Sequence, residues 1–198
     1  MRVTKEKARE NRERIVDTAA MLFREQGFDR VGVAQLMEQA GFTHGGFYNH
    51  FASKDELIAE ALARCFDERS EQYAGHEAIA IVERYLSRDH RDAPGRGCPA
   101  AALGSDASRQ SDETRSAFAA GVENMIAAIE KDVRPKQAHD PVSRARAISV
   151  LAQAVGAMIL SRACPESSSL ADDILDTCRA ECISIFDNHG ERELSGES

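Results

Sequence analysis

Apolar residues recur at helical spacing along most of the chain, and this periodicity limits the fold more than any other feature. Ile15, Ala19 and Leu22 share one helical face, and Gly27 follows as a residue that commonly ends a helix. No stretch alternates with a period of two for long enough to predict a strand, and β-branched residues are sparse. The sequence therefore predicts an all-α fold with about nine helices.

Capping residues and helix breakers give the predicted boundaries. Ser53 and Glu56 have the spacing of a capping box and open a long helix that runs to about Tyr73. Prolines and glycines between Asp89 and Pro99 predict a loop. A nearly all-apolar helix is expected from Pro141 to about Ala163.

Composition excludes several classes of protein. Hydrophobic residues make up 42% of the chain, which is enough for a packed core. The N-terminus has no apolar segment typical of a secretory signal, and the apolar run 147–160 is shorter than the roughly 20 residues of a membrane span. The five cysteines include no C-x-x-C pair. We therefore expect a soluble cytoplasmic protein without a membrane partner, a bound metal or a cofactor.

Charge is distributed unevenly. The net charge is −8, yet residues 1–64 carry 10 basic and 10 acidic side chains and sum to zero. Arg2, Lys5, Arg9 and Arg12 form one basic stripe on the first predicted helix. This asymmetry has two interpretations: a nucleic-acid-facing head on an acidic body, or a solvated end of an amphipathic helix.

A helix-turn-helix pattern lies between Phe28 and Leu57. Two short predicted helices, 33–40 and 43–50, are separated by Gly41. Phe47 and Phe51 supply apolar contacts, which leaves polar side chains on the other face of a helix too short to be stable alone. Thr43 is expected to cap this helix. Lys54 opposes the dipole of the next helix unless an anion is near, which favours a phosphate partner.

The residues of this segment resemble one family. Gly27-Phe28-Asp29, Ala34-Gln35-Leu36-Met37 and the run 40–57, A-G-F-T-H-G-G-F-Y-N-H-F-A-S-K-D-E-L, are similar to the TetR family of bacterial transcriptional regulators. The resemblance covers about residues 10–60. It implies a three-helix DNA-binding domain at 1–52, a larger helical effector-binding and dimerisation domain at 53–190, and leaves a polar tail at 191–198.

The resemblance also implies roles for individual residues. Thr43, Tyr48, His50 and Lys54 would hold the DNA backbone, and His44 and Gly46 would face base edges. A solvent-exposed turn residue is the alternative for His44. The expected DNA-binding set is Gly32, Val33, Thr43, His44, Gly45, Gly46, Tyr48, Asn49, His50 and Lys54.

The remaining residues predict a dimer and a ligand chamber. The eighth helix combines a small-residue stripe with apolar residues on nearly all sides, and the ninth has near-heptad apolar spacing. Expected dimer contacts are Ser149, Ala152, Gly156, Leu175, Cys178, Cys182 and Ile185. The family resemblance implies a pocket, for which the candidate residues are Phe66, Tyr85, Cys98, Leu103, Phe118, Val122 and Met125.

The function expected is therefore that of a repressor, not an enzyme. A homodimer would bind a palindromic double-stranded operator and release it when a small molecule fills the pocket. The main alternative is a repressor that senses oxidants or electrophiles through Cys98, whose position before a predicted helix favours the thiolate. Two other functions remain open: an architectural DNA-binding protein without an effector, and a thiol enzyme.

Cys178 and Cys182 share a helix face and are interpreted as core residues rather than metal ligands.

Overall fold

All regular structure in the described residues is helical, as the periodicity predicts. The computed structural model describes residues 5–133 and 141–187, so the predicted polar tail 191–198 and Arg2 of the basic stripe lie outside it. The α-helices are α1 (Lys5–Gln26), α2 (Val33–Gln39), α3 (Lys54–Tyr73), α4 (Ala78–Tyr85), α5 (Arg88–Arg91), α6 (Pro99–Ala107), α7 (Asp112–Val133), α8 (Pro141–Ala163) and α9 (Ser169–Asp187). Two 3-10 helices span His44–Asn49 and Pro94–Arg96.

Two local predictions were wrong. The segment 89–99, expected to be a loop, contains most of the one-turn helix α5 and a 3-10 helix, because Ser87 caps α5 by accepting a hydrogen bond from the His90 N–H. The helix expected at 43–50 is a 3-10 helix, and the Thr43 side chain does not cap it. Gly45 and Gly46 lower the α-helical propensity of this segment.

The chain divides into two compact units. One contains Met1–Glu71 and Pro94–Gly121, and the other contains Gln72–Ala93 and Val122–Ser198. The segment 1–52, expected to bind DNA, lies in the first unit, whereas the segment 53–190 contributes to both.

Buried apolar side chains hold the first unit together. Phe23 and Phe28 pack edge to face with ring centroids 5.3 Å apart, and both are buried. Gly27 ends α1 at φ +83, and its N–H donates to the Phe23 carbonyl at 2.8 Å.

Two buried arginines hold the 3-10 helix Pro94–Arg96 in place. Arg24 Nε donates to the Gly95 carbonyl at 2.7 Å, and Arg69 donates to the Arg96 carbonyl at 3.0 Å.

Helix α8 is the centre of the second unit and packs along α9. Its residues Ala147 and Leu151 form an apolar cluster with Ile126 of α7. By length and composition Val142–Ala163 could cross a membrane, so the apolar segment is longer than the sequence analysis expected. Core helices of water-soluble domains pass the same test, and α8 packs against α7 and α9.

Candidate nucleic-acid interface

A tight turn at Gly41 sets the angle between α2 and the 3-10 helix His44–Asn49. Gly41 has φ +78, a conformation that favours glycine, and its N–H donates to the Glu38 carbonyl at 2.9 Å. The N–H of Phe42 donates to the Met37 carbonyl at 2.8 Å. These bonds close the end of α2 and start the next element in a new direction, which is the geometry of a helix-turn-helix.

The 3-10 helix separates apolar from polar side chains sharply. Phe47 is 1% exposed and Phe51 is 2% exposed, and their rings stack with centroids 5.5 Å apart. Tyr48 is 68% exposed, although its ring packs edge to face on Phe47 at 5.2 Å. The buried phenylalanines thus hold a surface of otherwise polar residues in place.

Most of the residues expected to bind DNA lie on this surface. Those classed as exposed are Gly32, Thr43, His44, Gly45, Tyr48 and Asn49. The half-buried ones are Val33, Gly46, His50 and Lys54. All ten belong to the first unit: they lie in α2 and the 3-10 helix, at the caps of these two elements, and at the first residue of α3.

Lys54 has a partner inside the protein. Its Nζ donates to the Phe28 carbonyl at 2.6 Å, so the lysine has a neutral acceptor in the protein, and the phosphate contact expected beside it stays a prediction. The capping box next to it forms with one change. The Glu56 N–H donates to Ser53 Oγ at 3.1 Å, but the Glu56 carboxylate accepts from the Ala52 N–H at 2.7 Å rather than from Ser53.

Arg12 of the predicted basic stripe is committed to internal contacts. Its guanidinium lies 4.1 Å from the centroid of the Phe51 ring and pairs with Glu56 at 2.9 Å and with Glu60. It also donates to the His50 carbonyl. Burial, and then the nearby charge of Arg12, lower the pKa of His50. Arg12 therefore stabilises the interface, and the lowered pKa favours the neutral form of His50.

Two residues at this interface were not predicted from the sequence. Arg14 of α1 places its guanidinium 5.2 Å from the centroid of the Phe42 ring. Asp106 of α6 accepts a hydrogen bond from the Phe28 N–H at 3.0 Å. No local pattern marks either one, because the partner of Asp106 is 78 residues away in the chain.

The residues expected to line a pocket belong to different units. Phe66, Cys98, Leu103 and Phe118 lie in the first unit, and Tyr85, Val122 and Met125 lie in the second. The Phe66 and Phe118 rings pack edge to face at 5.7 Å. Val122 and Met125 pack against the apolar cluster around Leu151.

Cys98 precedes α6 as expected but does not lie at an accessible pocket mouth. It is 0% exposed, and the preceding 3-10 helix is fastened by Arg24 and Arg69. Burial raises the pKa of the neighbouring thiol, Cys65, to about 12, and the thiol of Cys98 contributes in the same direction. Both cysteines therefore lie in an apolar interior.

The residues expected at the dimer interface differ in exposure. Ser149 and Ala152 of α8 are exposed, and Gly156 is half-buried. On α9, Cys178 and Ile185 are half-buried, whereas Leu175 and Cys182 are buried within the single chain. The Cys182 thiol lies 3.9 Å from the Val150 carbonyl oxygen, so this part of α9 faces α8.

The segment that contains the helix-turn-helix matches a known family. Residues 15–61 match the family model of bacterial regulatory proteins, tetR family. The chain is 39% identical over 59 residues to the HTH-type transcriptional regulator AcrR of Shigella flexneri, a match over 30% of this chain and 27% of that protein. The match thus spans about a quarter of the length of that curated relative.

Solved structures resemble the fold over most of the chain. The reduced form of E. coli NemR has a TM-score of 0.74 at 20% identity, covering 88% of this chain and 96% of that one. A TetR transcriptional regulator from Chloroflexus aurantiacus has a TM-score of 0.72 at 23% identity, covering 90% and 95%. The motif and the fold agree: residues 15–61 match the TetR family of bacterial regulatory proteins, and the chain shares the fold of a solved TetR regulator.

Proposed function

We propose that the protein is a cytoplasmic transcriptional repressor that binds a palindromic operator as a homodimer and is released by a small molecule. One observation supports DNA binding most directly. Tyr48 is 68% exposed between two phenylalanines that are almost completely buried. An aromatic side chain held rigidly in water by buried neighbours is suited to contact a partner, and its hydroxyl can donate to a phosphate oxygen.

The charged residues of the proposed DNA interface favour specific hydrogen bonds over nonspecific electrostatic attraction as the source of DNA affinity. Arg12 is paired with Glu56 and Glu60, Arg9 lies 3.6 Å from Glu13, and the lowered pKa of His50 favours its neutral form. These features reduce the positive charge available to neutralise phosphates, so hydrogen bonds from Thr43, Tyr48 and backbone groups carry more of the affinity. We expect a shallow dependence of DNA affinity on salt.

The exposed face of α8 supports the homodimer. Ile148, Ile159 and Leu160 are all more than 40% exposed, and they share the side of the helix that carries Ser149 and Ala152. A row of large apolar side chains in water is typical of an interface, and a two-fold axis lets the same face serve both copies. Leu175 and Cys182 would stiffen this interface from within the chain, since both are buried.

Replacing the proposed phosphate contacts should weaken DNA binding without changing its sequence preference. We expect Tyr48→Phe to reduce affinity about tenfold and Lys54→Ala to reduce it similarly and lower the salt slope by about one. Fluorescence anisotropy measures this with the duplex that the wild type selects from a randomised library, together with variants of that duplex.

Tyr73→Phe is the matched control, because Tyr73 lies at the end of α3 away from the proposed interface. Its affinity should equal that of the wild type. The assignment fails if Tyr48→Phe alters binding to one duplex variant alone. If the wild type enriches no duplex from the library, DNA binding itself is wrong.

The effector site is proposed from the family resemblance and from the candidate residues. Beyond residue 60 the aromatic residues are few, so we expect a small, mainly aliphatic ligand to be favoured over a bulky aromatic cation. Phe66, Leu103 and Phe118 are the candidate lining residues that the first unit contains.

A thiol-based signal through Cys98 is the second candidate. The fold resembles that of a protein solved in a form called reduced, and Cys98 lies near a second buried thiol, Cys65. Because Cys98 is fully buried, we expect hypochlorite to release DNA only slowly and equally from the wild type and from Cys98→Ser. Operator binding after timed treatment measures this. Release from the wild type that is at least tenfold faster than from Cys98→Ser would favour the thiol switch instead.

A further inference from the structure

Phe28 connects α1 to α2 and is held by its backbone from two sides. Its N–H donates to Asp106 Oδ2 at 3.0 Å, and its carbonyl accepts from Lys54 Nζ at 2.6 Å. The Phe28 side chain is completely buried against Phe23. One residue thus joins a carboxylate of α6 to a lysine of the proposed DNA interface.

The Asp106 contact depends on the glycine beside it. A Cβ atom on Gly27 would lie 2.4 Å from Asp106 Oδ2, and the φ of Gly27 is +83. The carboxylate can reach the Phe28 N–H only because residue 27 has no side chain. Its other oxygen, Oδ1, lies 2.5 Å from the exposed guanidinium of Arg109.

We propose that Asp106 is a positioning residue of the DNA interface: by holding Phe28, it keeps the carbonyl that orients Lys54 in place. This inference rests on the proposed function. Without Asp106 the Phe28 N–H loses its acceptor, and a partly buried N–H without an acceptor favours a shift of the backbone toward water. The Phe28 carbonyl then moves away from Lys54, whose flexible side chain loses its fixed position.

The hydrogen bond from the Phe28 N–H to Asp106 also restricts the position of the start of α2. Phe28 is four residues before Gly32, the N-cap of α2, and Gly32 and Val33 belong to the proposed DNA-binding set. A backbone fixed at Phe28 therefore limits where the first turn of α2 can lie. Asp106 touches no DNA in this scheme and acts only through Phe28.

A double-mutant cycle on the full-length protein tests the proposal. The probe is the fluorescein-labelled duplex selected by the wild type, and the readouts are the dissociation constant and its salt slope. We expect Asp106→Ala to weaken binding about tenfold and to lower the salt slope by about one, as loss of a lysine–phosphate contact does. In the Lys54→Ala background, Asp106→Ala should change affinity by less than about twofold, because Lys54 is then already absent.

Two matched variants separate positioning from general destabilisation. Arg109→Ala removes the ion pair of Asp106 but leaves the Phe28 bond, so it should bind like the wild type. Asp106→Asn retains an oxygen that can accept the Phe28 N–H and should recover most of the affinity. Additive effects of Asp106→Ala and Lys54→Ala, or equal losses in Arg109→Ala and Asp106→Ala, would overturn the proposal.

If Asp106→Ala does not fold, hydrogen exchange of the Phe28 amide still tests the bond to Asp106. The Phe28 amide should exchange slowly in the wild type and at least tenfold faster in Asp106→Ser, whose hydroxyl is too short to reach it. Equal exchange in both proteins would refute the Asp106 bond. Failure of the wild type to select any duplex would refute DNA binding and leave the exchange result intact, so the two failures are distinguishable.

Discussion

Replacing Gly156 with leucine should leave the single chain folded and disrupt the dimer. A Cβ atom at Gly156 would meet nothing within 4 Å in its own chain, so a larger side chain has room there. Leucine also has a higher helix propensity, which stabilises α8 by about 1 kcal/mol. In the proposed dimer the same side chain enters a close-packed interface twice, and overpacking costs about 1–3 kcal/mol at each copy. We expect the dimer dissociation constant to rise about 100-fold or more.

Sedimentation equilibrium measures this change directly. Ala120→Leu is the matched control, because it adds a leucine to an exposed position of α7 outside the proposed interface. It should sediment as the wild type does, whereas Gly156→Leu should become monomeric and bind the selected duplex far more weakly. An unchanged dimer in Gly156→Leu would place the interface on another surface.

Replacing Gly121 with alanine should destabilise the first unit. A Cβ atom there would lie 2.2 Å from Cγ of Phe66, far inside van der Waals contact. The Phe66 ring cannot move away easily, since it is buried and packs against Phe118 with centroids 5.7 Å apart. We expect a loss of about 1–3 kcal/mol in the free energy of unfolding, the usual cost of overpacking. Urea unfolding followed by circular dichroism measures it.

Gly104 of α6 is the control for this substitution. A Cβ atom at Gly104 would lie 3.5 Å from Cζ of Phe118, an ordinary contact. Gly104→Ala should therefore leave stability unchanged or raise it by about 0.5–1 kcal/mol, the gain of alanine over glycine within a helix. Equal stability of Gly104→Ala and Gly121→Ala would mean that the approach of α7 to Phe66 is not tight.

Local signals in the sequence predict most helices, but they do not predict elements that depend on hydrogen bonds from residues far away in the chain. Gly27 ends α1 and Pro141 begins α8 where propensity places them. Helix α5 was missed because its single turn is stabilised from afar. Arg162 donates to the His90 carbonyl at 2.7 Å, and Arg179 donates to the Leu86 carbonyl at 3.0 Å, 93 residues away. Ser87 supplies a local cap, but no pattern within a few residues of Arg88 identifies these distant partners.

The same distinction applies to the candidate site. The motif around Tyr48 and Lys54 identifies the surface, because its apolar residues repeat in step with the buried face. The partners that fix this surface come from elsewhere in the chain: Arg12 from α1 and Asp106 from α6. A residue's type and spacing predict which face it occupies, whereas its hydrogen-bond partner depends on how the helices pack.

The exposure of Tyr48 has a spectroscopic consequence. The chain contains no tryptophan and three tyrosines, so its near-ultraviolet emission comes from tyrosine alone. Tyr85 is buried, Tyr73 is half-buried, and Tyr48 is mostly exposed. Iodide in solution therefore quenches chiefly the emission of Tyr48. A duplex seated on the 3-10 helix His44–Asn49 would shield this ring, which makes the unlabelled protein an optical reporter of its own docking.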